Sequence, residues 1–212
     1  AAHLGGKGWS GVALDSSPEA AARAREALAR SGSVEVSEGG LDRLKGRVFR
    51  TAFIMDVLEH VQDDSGLLGA VAGLLSPGGS LIVLAPVNPA EWRQDDELYG
   101  HYRRYGWEEM EGKLAAAGLA IADKHNVTFP VMWALRRVYL SLLPSRPARQ
   151  ARDMLTQASS FYNPWQEHPW LRAACALAGR PFLWLPLLRV QDIFARSRKG
   201  HAAMFLARKP AT

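Results

Sequence analysis

The sequence predicts an α/β fold: a doubly wound, mostly parallel sheet with a helical insertion before its last strand. Three observations carry that expectation. Short apolar runs alternate with amphipathic stretches rich in Ala, Leu and Arg, the pattern of strand–helix–strand units. The clearest strand, Ser80 to Ala85 (SLIVLA), is a near-continuous apolar run bounded by breakers, as a strand covered on both faces requires. A connection of 73 residues, 128–200, separates the last two predicted strands, far more than a normal loop.

Taken in order, Trp9 to Asp15 (WSGVALD) reads as a short buried strand ending in an acid. Ser17-Pro18-Glu19 then opens a helix. The serine hydroxyl can accept from free amide groups, proline suits the first helical position, and Glu19 complements the dipole. That helix is expected to stop near Gly32. Ser33 to Val36 and Phe49 to Met55 (FRTAFIM) are the next strands. Asp63-Asp64 opens a helix with Leu67, Leu68, Val71, Leu74 and Leu75 on one stripe. Pro77-Gly78-Gly79 is expected to end it and turn the chain into the Ser80 strand. Trp107 to Ala117 is a helix closed by Gly118, and Leu119 to Val127 and His201 to Ala207 (HAAMFLA) are the last two strands. Within the insertion, Phe129 to Leu143, Leu171 to Ala178 and Phe182 to Ala195 read as helices. Pro144, Pro147, Pro164, Pro169, Pro181 and Pro186 punctuate them. The domain reading is an α/β domain over 1–127 and 201–212, carrying a helical cap over 128–200.

Composition narrows the class. Apolar residues make up 48% and charged residues 22% of the 212, a globular balance that excludes a disordered chain. The single cysteine, Cys175, excludes an internal disulfide framework and fits a reducing compartment, so the expected location is cytoplasmic. No apolar run approaches the ~20 residues of a spanning helix, and no basic-then-apolar leader opens the chain. The net charge of +5 is unevenly spread. Residues 1–135 hold 13 Lys/Arg against 18 Asp/Glu, and residues 136–212 hold 13 against 3. A basic segment beside an acidic body suits an anionic partner, whether a phosphorylated substrate, a lipid head group or nucleic acid. The alternative is a solvated, arginine-rich face.

Doubly wound sheets bind ligands at the carboxyl ends of their strands. The chemistry is therefore expected at Asp15–Ser16, Gly40–Asp42, Asp56–His60 and Pro86–Tyr105.

Four segments in this order resemble the class I S-adenosylmethionine-dependent methyltransferases. They are VALDSSPEAAARARE (12–26), DVLEHV (56–61), LLSPGGSLIVLAP (74–86) and DELYGHYRRYGWEEMEGKLAAAGLAI (96–121). The resemblance covers residues 4–127 and resumes at the last strand. Its most specific part is the Gly-His-x-Arg-Arg-Tyr block, Gly100 to Tyr105, which is similar to a bacterial subgroup of small-molecule methyltransferases. The resemblance implies a Rossmann-like fold with S-adenosyl-L-methionine as cofactor. It implies methyl transfer to an O or N nucleophile of a small-molecule or lipid-like acceptor.

Residue by residue, the resemblance makes Asp15, with Ser16 beside it, the grip on the cofactor's ribose. A carboxylate there can accept from both hydroxyls; a helix-capping acid is the alternative. Asp42 would accept from the adenine amino group, or be a plain turn residue. Asp56 and His60 lie on the turn beneath the methionine part. Related quinone O-methyltransferases hold a divalent metal on a similar acid-x-x-acid-His turn. The Asp56/Glu59/His60 spacing permits that, with capping and anchoring as the other reading, and no metal ligand is assigned. In the acceptor loop, Trp92 and Tyr99 offer aromatic walls and His101 has the pKa range to take a proton. Arg103 and Arg104 can clamp an anion, with Tyr105 closing the loop. These residues can equally pin the loop, through pairs to Asp95, Asp96 or Glu97. The insertion would cover the acceptor, and its Trp/Leu/Arg mixture would suit peripheral contact with an anionic membrane. No stacking platform for nucleic acid is recognisable.

The sequence departs from the family pattern in lacking a Gly-x-Gly-x-Gly loop. The expectation is that this loop and its strand lie ~40–60 residues upstream. A degenerate, non-catalytic binding protein of the same fold is the alternative. Phe49-Arg50 replaces the usual Phe-Asp, and Gly106 stands where Ser or Thr commonly caps. A nicotinamide-dependent oxidoreductase is the remaining rival. A last strand inserted antiparallel beside its neighbours would favour the methyltransferase.

Overall fold

The computed structural model describes residues 6–29, 33–142 and 181–211. The chain divides into two compact units, Ala1–Val48 and Phe49–Thr212.

The first unit is a β–α–β crossover. Strand β1 (Gly11–Asp15) and strand β2 (Val34–Glu38) pair in parallel, from Gly11 opposite Val34 to Asp15 opposite Glu38. Helix α1 (Pro18–Leu28) connects them, and Ser17 caps it by accepting from the Ala20 amide at 3.2 Å, with Pro18 in the first turn. Ala20, Ala21 and Leu28 form its buried face. The helix ends short of Gly32, and residues 30–32 lie outside the described part. A 3-10 turn, Leu41–Leu44, follows β2.

The second unit is built on a four-stranded sheet of order β3-β4-β6-β5. Strand β3 (Phe49–Met55) lies parallel to β4 (Leu75–Pro86), connected through helix α2 (Asp64–Gly73). Asp63 caps α2 by accepting from the Gly66 amide at 2.8 Å. A Cβ on Gly66 would fall 2.2 Å from Asp63 Oδ2, so the cap needs that glycine. After β4 come a short helix α3 (Gln94–Leu98), helix α4 (Trp107–Ala116) and strand β5 (Ala120–Asn126). Strand β6 (Ala202–Arg208) runs antiparallel to both β4 and β5 and lies between them. Leu81, Val83 and Ala85 of β4 and Ala203, Phe205 and Ala207 of β6 are fully buried. Full burial of a Leu or Phe side chain stabilises by about 1.5–3 kcal/mol.

Pro77-Gly78-Gly79 does not end helix α2, which stops at Gly73. The tripeptide lies inside β4, where the pairing jumps from Phe49–Leu75 to Thr51–Ser80. Gly78 takes a φ of 73° there and donates to the Pro210 carbonyl at 3.1 Å. The breakers bulge a strand that has already begun.

Of the insertion, helix α5 (Val131–Leu142) and helix α6 (Pro181–Ile193) are described and touch each other. Pro186 lies within α6. The helix expected over Leu171 to Ala178, with Trp165 and Trp170, lies outside the described residues. No helix among the described residues is long and apolar enough to cross a membrane.

Candidate functional site

In the first unit, Asp15 ends β1 with an exposed side chain, and its Oδ1 accepts from the Ser17 amide at 2.9 Å. Ser16 is likewise exposed. Asp42 sits exposed on the turn after β2, its Oδ1 folded over Gly40, where a Cβ would meet it at 2.8 Å.

In the second unit the site grows from the carboxyl end of β3. Asp56 adopts a left-handed φ of 51° while its amide donates to Leu84 in β4 at 3.0 Å. Such a conformation in a non-glycine residue costs roughly 1–2 kcal/mol and is concentrated at functional sites. The 3-10 turn Leu58–His60 then divides its side chains between the interior and the surface. Leu58 and Glu59 turn inward, and Asp56 and His60 outward. Glu59 is 1% exposed, and among the described residues its Oε2 has no hydrogen-bond partner. Burial pushes its carboxyl up to about 7. Burial also raises Asp56, against the opposing charge of His101. Burial lowers His60, and nearby His101 adds to the shift.

The loop after β4 is closed on itself. Asn88 donates to Tyr105 O, and Tyr105 donates to Pro86 O, each at 2.9 Å. Within this excursion Asp96 is the hub and is 0% exposed. Its Oδ2 accepts from the Arg93 amide at 2.8 Å and from Arg136 Nη2 at 3.1 Å. Its Oδ1 meets Arg104 Nη2 at 2.7 Å and His101 Nδ1 at 2.8 Å. Burial alone would raise this carboxyl, but the hydrogen bonds from His101 and Arg104 and the Arg104 charge hold it at about 2. The His101 ring turns its other nitrogen toward Glu59, with Nε2 4.0 Å from Oε1. It stands edge-on to His60 at 4.8 Å and tilted to Tyr99 at 6.2 Å. Helix α5 grips the same loop. Arg136 makes a two-pronged contact with Asp95, at 2.7 and 2.6 Å, and also donates to the Glu91 carbonyl.

Three residues expected to touch an acceptor are engaged within the protein. Arg104 is 6% exposed and is spent on Asp96, Val87 O and His201 O. Arg103 is bound to Asp64 at 2.9 Å and to Gln62 O at 3.0 Å. Tyr105 is fully buried and donates to Asp64 at 2.9 Å. Burial, with that bond, raises its phenol well above the usual range. These side chains pin the loop, because charges and hydroxyls withdrawn from water need hydrogen-bond partners within the protein. Trp92 and Tyr99 remain partly exposed, and the indole of Trp92 donates to Glu97 at 3.5 Å. Asp64 is the member the sequence does not single out, whereas Asp96 stands there as a possible partner for Arg103 or Arg104, and Arg104 makes that pair.

Glu59, His60 and His101 each bring one nitrogen or oxygen within 4.8 Å of the others, a spacing a divalent cation tolerates. We assign no metal to them. What the cluster offers chemically is an imidazole held between two buried carboxylates, one ionised and one holding its proton near neutrality.

A family model described as a methyltransferase domain matches residues 1–83. The chain is similar to the ubiquinone biosynthesis O-methyltransferase of Rhizobium etli, 31% identical over 123 residues, covering 49% of each chain. It thus spans about half the length of the curated relative it matches. In structure it is similar to the [4+2]-cyclase SpnF, at 22% identity and a TM-score of 0.55, over 95% of this chain and 66% of that one. It is also similar to phosphoethanolamine N-methyltransferase 2 of Haemonchus contortus in complex with S-adenosyl-L-methionine, at 16% identity and a TM-score of 0.53. That match covers 94% of this chain and 43% of the other. The fold is the Rossmann-like methyltransferase fold.

Proposed function

We propose that the chain belongs to an S-adenosyl-L-methionine-dependent methyltransferase acting on an O or N nucleophile of a small-molecule acceptor. The observation that carries this reading is β6, antiparallel between β4 and β5. A nicotinamide-dependent oxidoreductase would arrange its last strand differently. The residues present suit the cofactor. Exposed carboxylates stand at the end of β1, at Asp15, and on the turn after β2, at Asp42, where a nucleoside's hydroxyl and amino groups find acceptors. When bound, S-adenosyl-L-methionine supplies an electrophilic methyl group on a sulfonium sulfur. The protein's own share is in-line positioning, worth several kcal/mol, and removal of the acceptor's proton, which falls to His101. Trp92 and Tyr99 are the side chains left to line the acceptor.

A fold-retaining protein that transfers no methyl group is the second reading. SpnF, a cyclase, has a similar fold. Calorimetry with S-adenosyl-L-methionine and release of S-adenosylhomocysteine across catechols, hydroxybenzoates and primary amines separate the two. Asp15→Ala is expected to weaken cofactor binding by about tenfold or more, from the loss of charge-assisted hydrogen bonds. An unchanged Kd refutes the ribose assignment. No binding and no turnover by the complete, folded gene product refute the enzyme.

A further inference from the structure

We propose that Asp96 is a positioning residue. It holds His101 as the Nδ1–H tautomer, so that Nε2 carries the lone pair and serves as the base of methyl transfer. The inference rests on the methyltransferase reading for its chemistry and on geometry alone for its assignment.

Asp96 lies on the short helix α3, wholly enclosed, and every neighbour within hydrogen-bond reach of its two oxygens is a donor or can be one. Two guanidinium groups, Arg104 and Arg136, and the Arg93 amide already point hydrogens at it. Held by two guanidinium groups and an amide, that carboxyl is ionised, and a carboxylate only accepts. The 2.8 Å contact to His101 Nδ1 can therefore be made in one direction only, with the ring nitrogen donating. In a neutral imidazole that leaves Nε2 unprotonated.

The ring cannot easily turn over. The His101 amide donates to the Asp96 carbonyl at 2.9 Å, so one residue fixes both main chain and side chain. The following residue, Tyr102, donates its amide to the Glu59 carbonyl at 2.8 Å. Nε2 consequently faces the turn at the carboxyl end of β3, with Glu59 Oε1 4.0 Å away, beyond a hydrogen bond.

The step balances with the sulfonium methyl donor of the proposed reaction. The acceptor's O–H or N–H gives its proton to Nε2. The acceptor's electron pair forms the bond to the methyl carbon. The carbon–sulfur bond breaks with its electrons left on sulfur, giving a neutral thioether. The new imidazolium is neutralised by Asp96 and loses its proton to solvent as products leave. Asp96 touches neither reactant and acts through the ring.

The test is nitrogen-15 NMR of the histidine-labelled full chain, without any methyl donor, with the His101 signals assigned by His101→Gln. The expected result is a pyrrole-type Nδ1 and a pyridine-type Nε2. Asp96→Asn is expected to populate the reverse tautomer. With S-adenosyl-L-methionine and catechol as the probe acceptor, it is also expected to lower kcat by roughly a hundredfold, the scale of general-base catalysis, leaving the KM for catechol within about threefold. A loop-bracing role alone would raise KM or unfold the protein without moving the tautomer. A wild-type His101 protonated at Nε2 overturns the proposal, and that measurement decides even if Asp96→Asn does not fold. A folded Asp96→Asn with unchanged tautomer and kcat also overturns it. The Nδ1–H form in a protein that binds no S-adenosyl-L-methionine upholds the positioning assignment and overturns the transferase reading instead.

Discussion

The Tyr105 hydroxyl donates to Asp64 Oδ2 at 2.9 Å, tying the end of the loop after β4 to the first residue of helix α2. Arg103 and Lys113 hold the same carboxylate at 2.9 and 2.8 Å. Burial opposes ionisation of Asp64, but the hydrogen bonds from Lys113 and Tyr105, with the Lys113 and Arg103 charges, keep its carboxyl below the ordinary range. Removing one member leaves the others short of partners. Tyr105→Phe is expected to cost about 1 kcal/mol, one hydrogen bond. Asp64→Ala, which strands two cations, is expected to cost about 3 kcal/mol or more. Urea unfolding of both variants checks the order, and equal costs would contradict the hub.

Glycine at 200 is required by space as well as by dihedral angle. Its φ is 107°, and a Cβ would lie 2.6 Å from Asn126 Oδ1, which already accepts from the Thr128 and Phe129 amides. Gly118 has a φ of 78° with nothing within 4 Å of an added Cβ. Gly118→Ala is expected to cost about 1–2 kcal/mol, the left-handed penalty. Gly200→Ala is expected to cost more, with a visibly lower Tm. Equal Tm losses would show that the Asn126 turn yields freely.

The strained Asp56 gives a paired comparison. Asp56→Gly and Asp56→Ala lose the same carboxylate, but only glycine accepts a φ of 51° without strain. The glycine variant is expected to be more stable than the alanine variant by about 1 kcal/mol, read by chemical denaturation. The reverse order would mean that the turn relaxes once the side chain is gone.

Two buried groups set opposing pH trends in the second unit. Glu59 keeps its proton in the folded state up to about 7, against an ordinary value of 4.5. Between those values the folded chain binds more protons than the unfolded one, so stability falls as pH rises. His201 is the converse. Burial, with the Arg136 and Arg104 charges, holds it down to about 4 from 6.5, so stability rises with pH across that window. The trends overlap and offset each other in the wild type. Glu59→Gln removes the first, and between pH 5 and 7.5 it should gain on the wild type by an amount on the order of 3 kcal/mol. Parallel stability curves for the two proteins would be the contrary result.

Much of the fold is legible locally because its signals are local. Ser17 and Asp63 cap the helices they were expected to start, and the β4 and β6 runs are buried as their composition requires. Pro77-Gly78-Gly79 misleads because breakers mark a bulge as readily as a helix end. The site is harder to read. In the sequence, Gln94 to Leu98 is a run of three acids that looks solvated. Asp96 is buried only because Arg104 and Arg136, 8 and 40 positions further along, are brought onto it. The same pairing occupies the guanidinium of Arg104, the residue expected to clamp an anion. Arg103 and Tyr105 are taken up by Asp64, some 40 residues earlier. No spacing rule contains such long-range partners.

Arg136 belongs to the insertion, yet its guanidinium closes on Asp95 and on Asp96, the acid that holds the His101 imidazole. A chimera exchanging residues 128–200 with a cousin's would therefore import or delete a strut of the loop after β4. Grafts that preserve a guanidinium at 136 should keep the hold on Asp96, so that whatever differs between them reports on the rest of the exchanged segment.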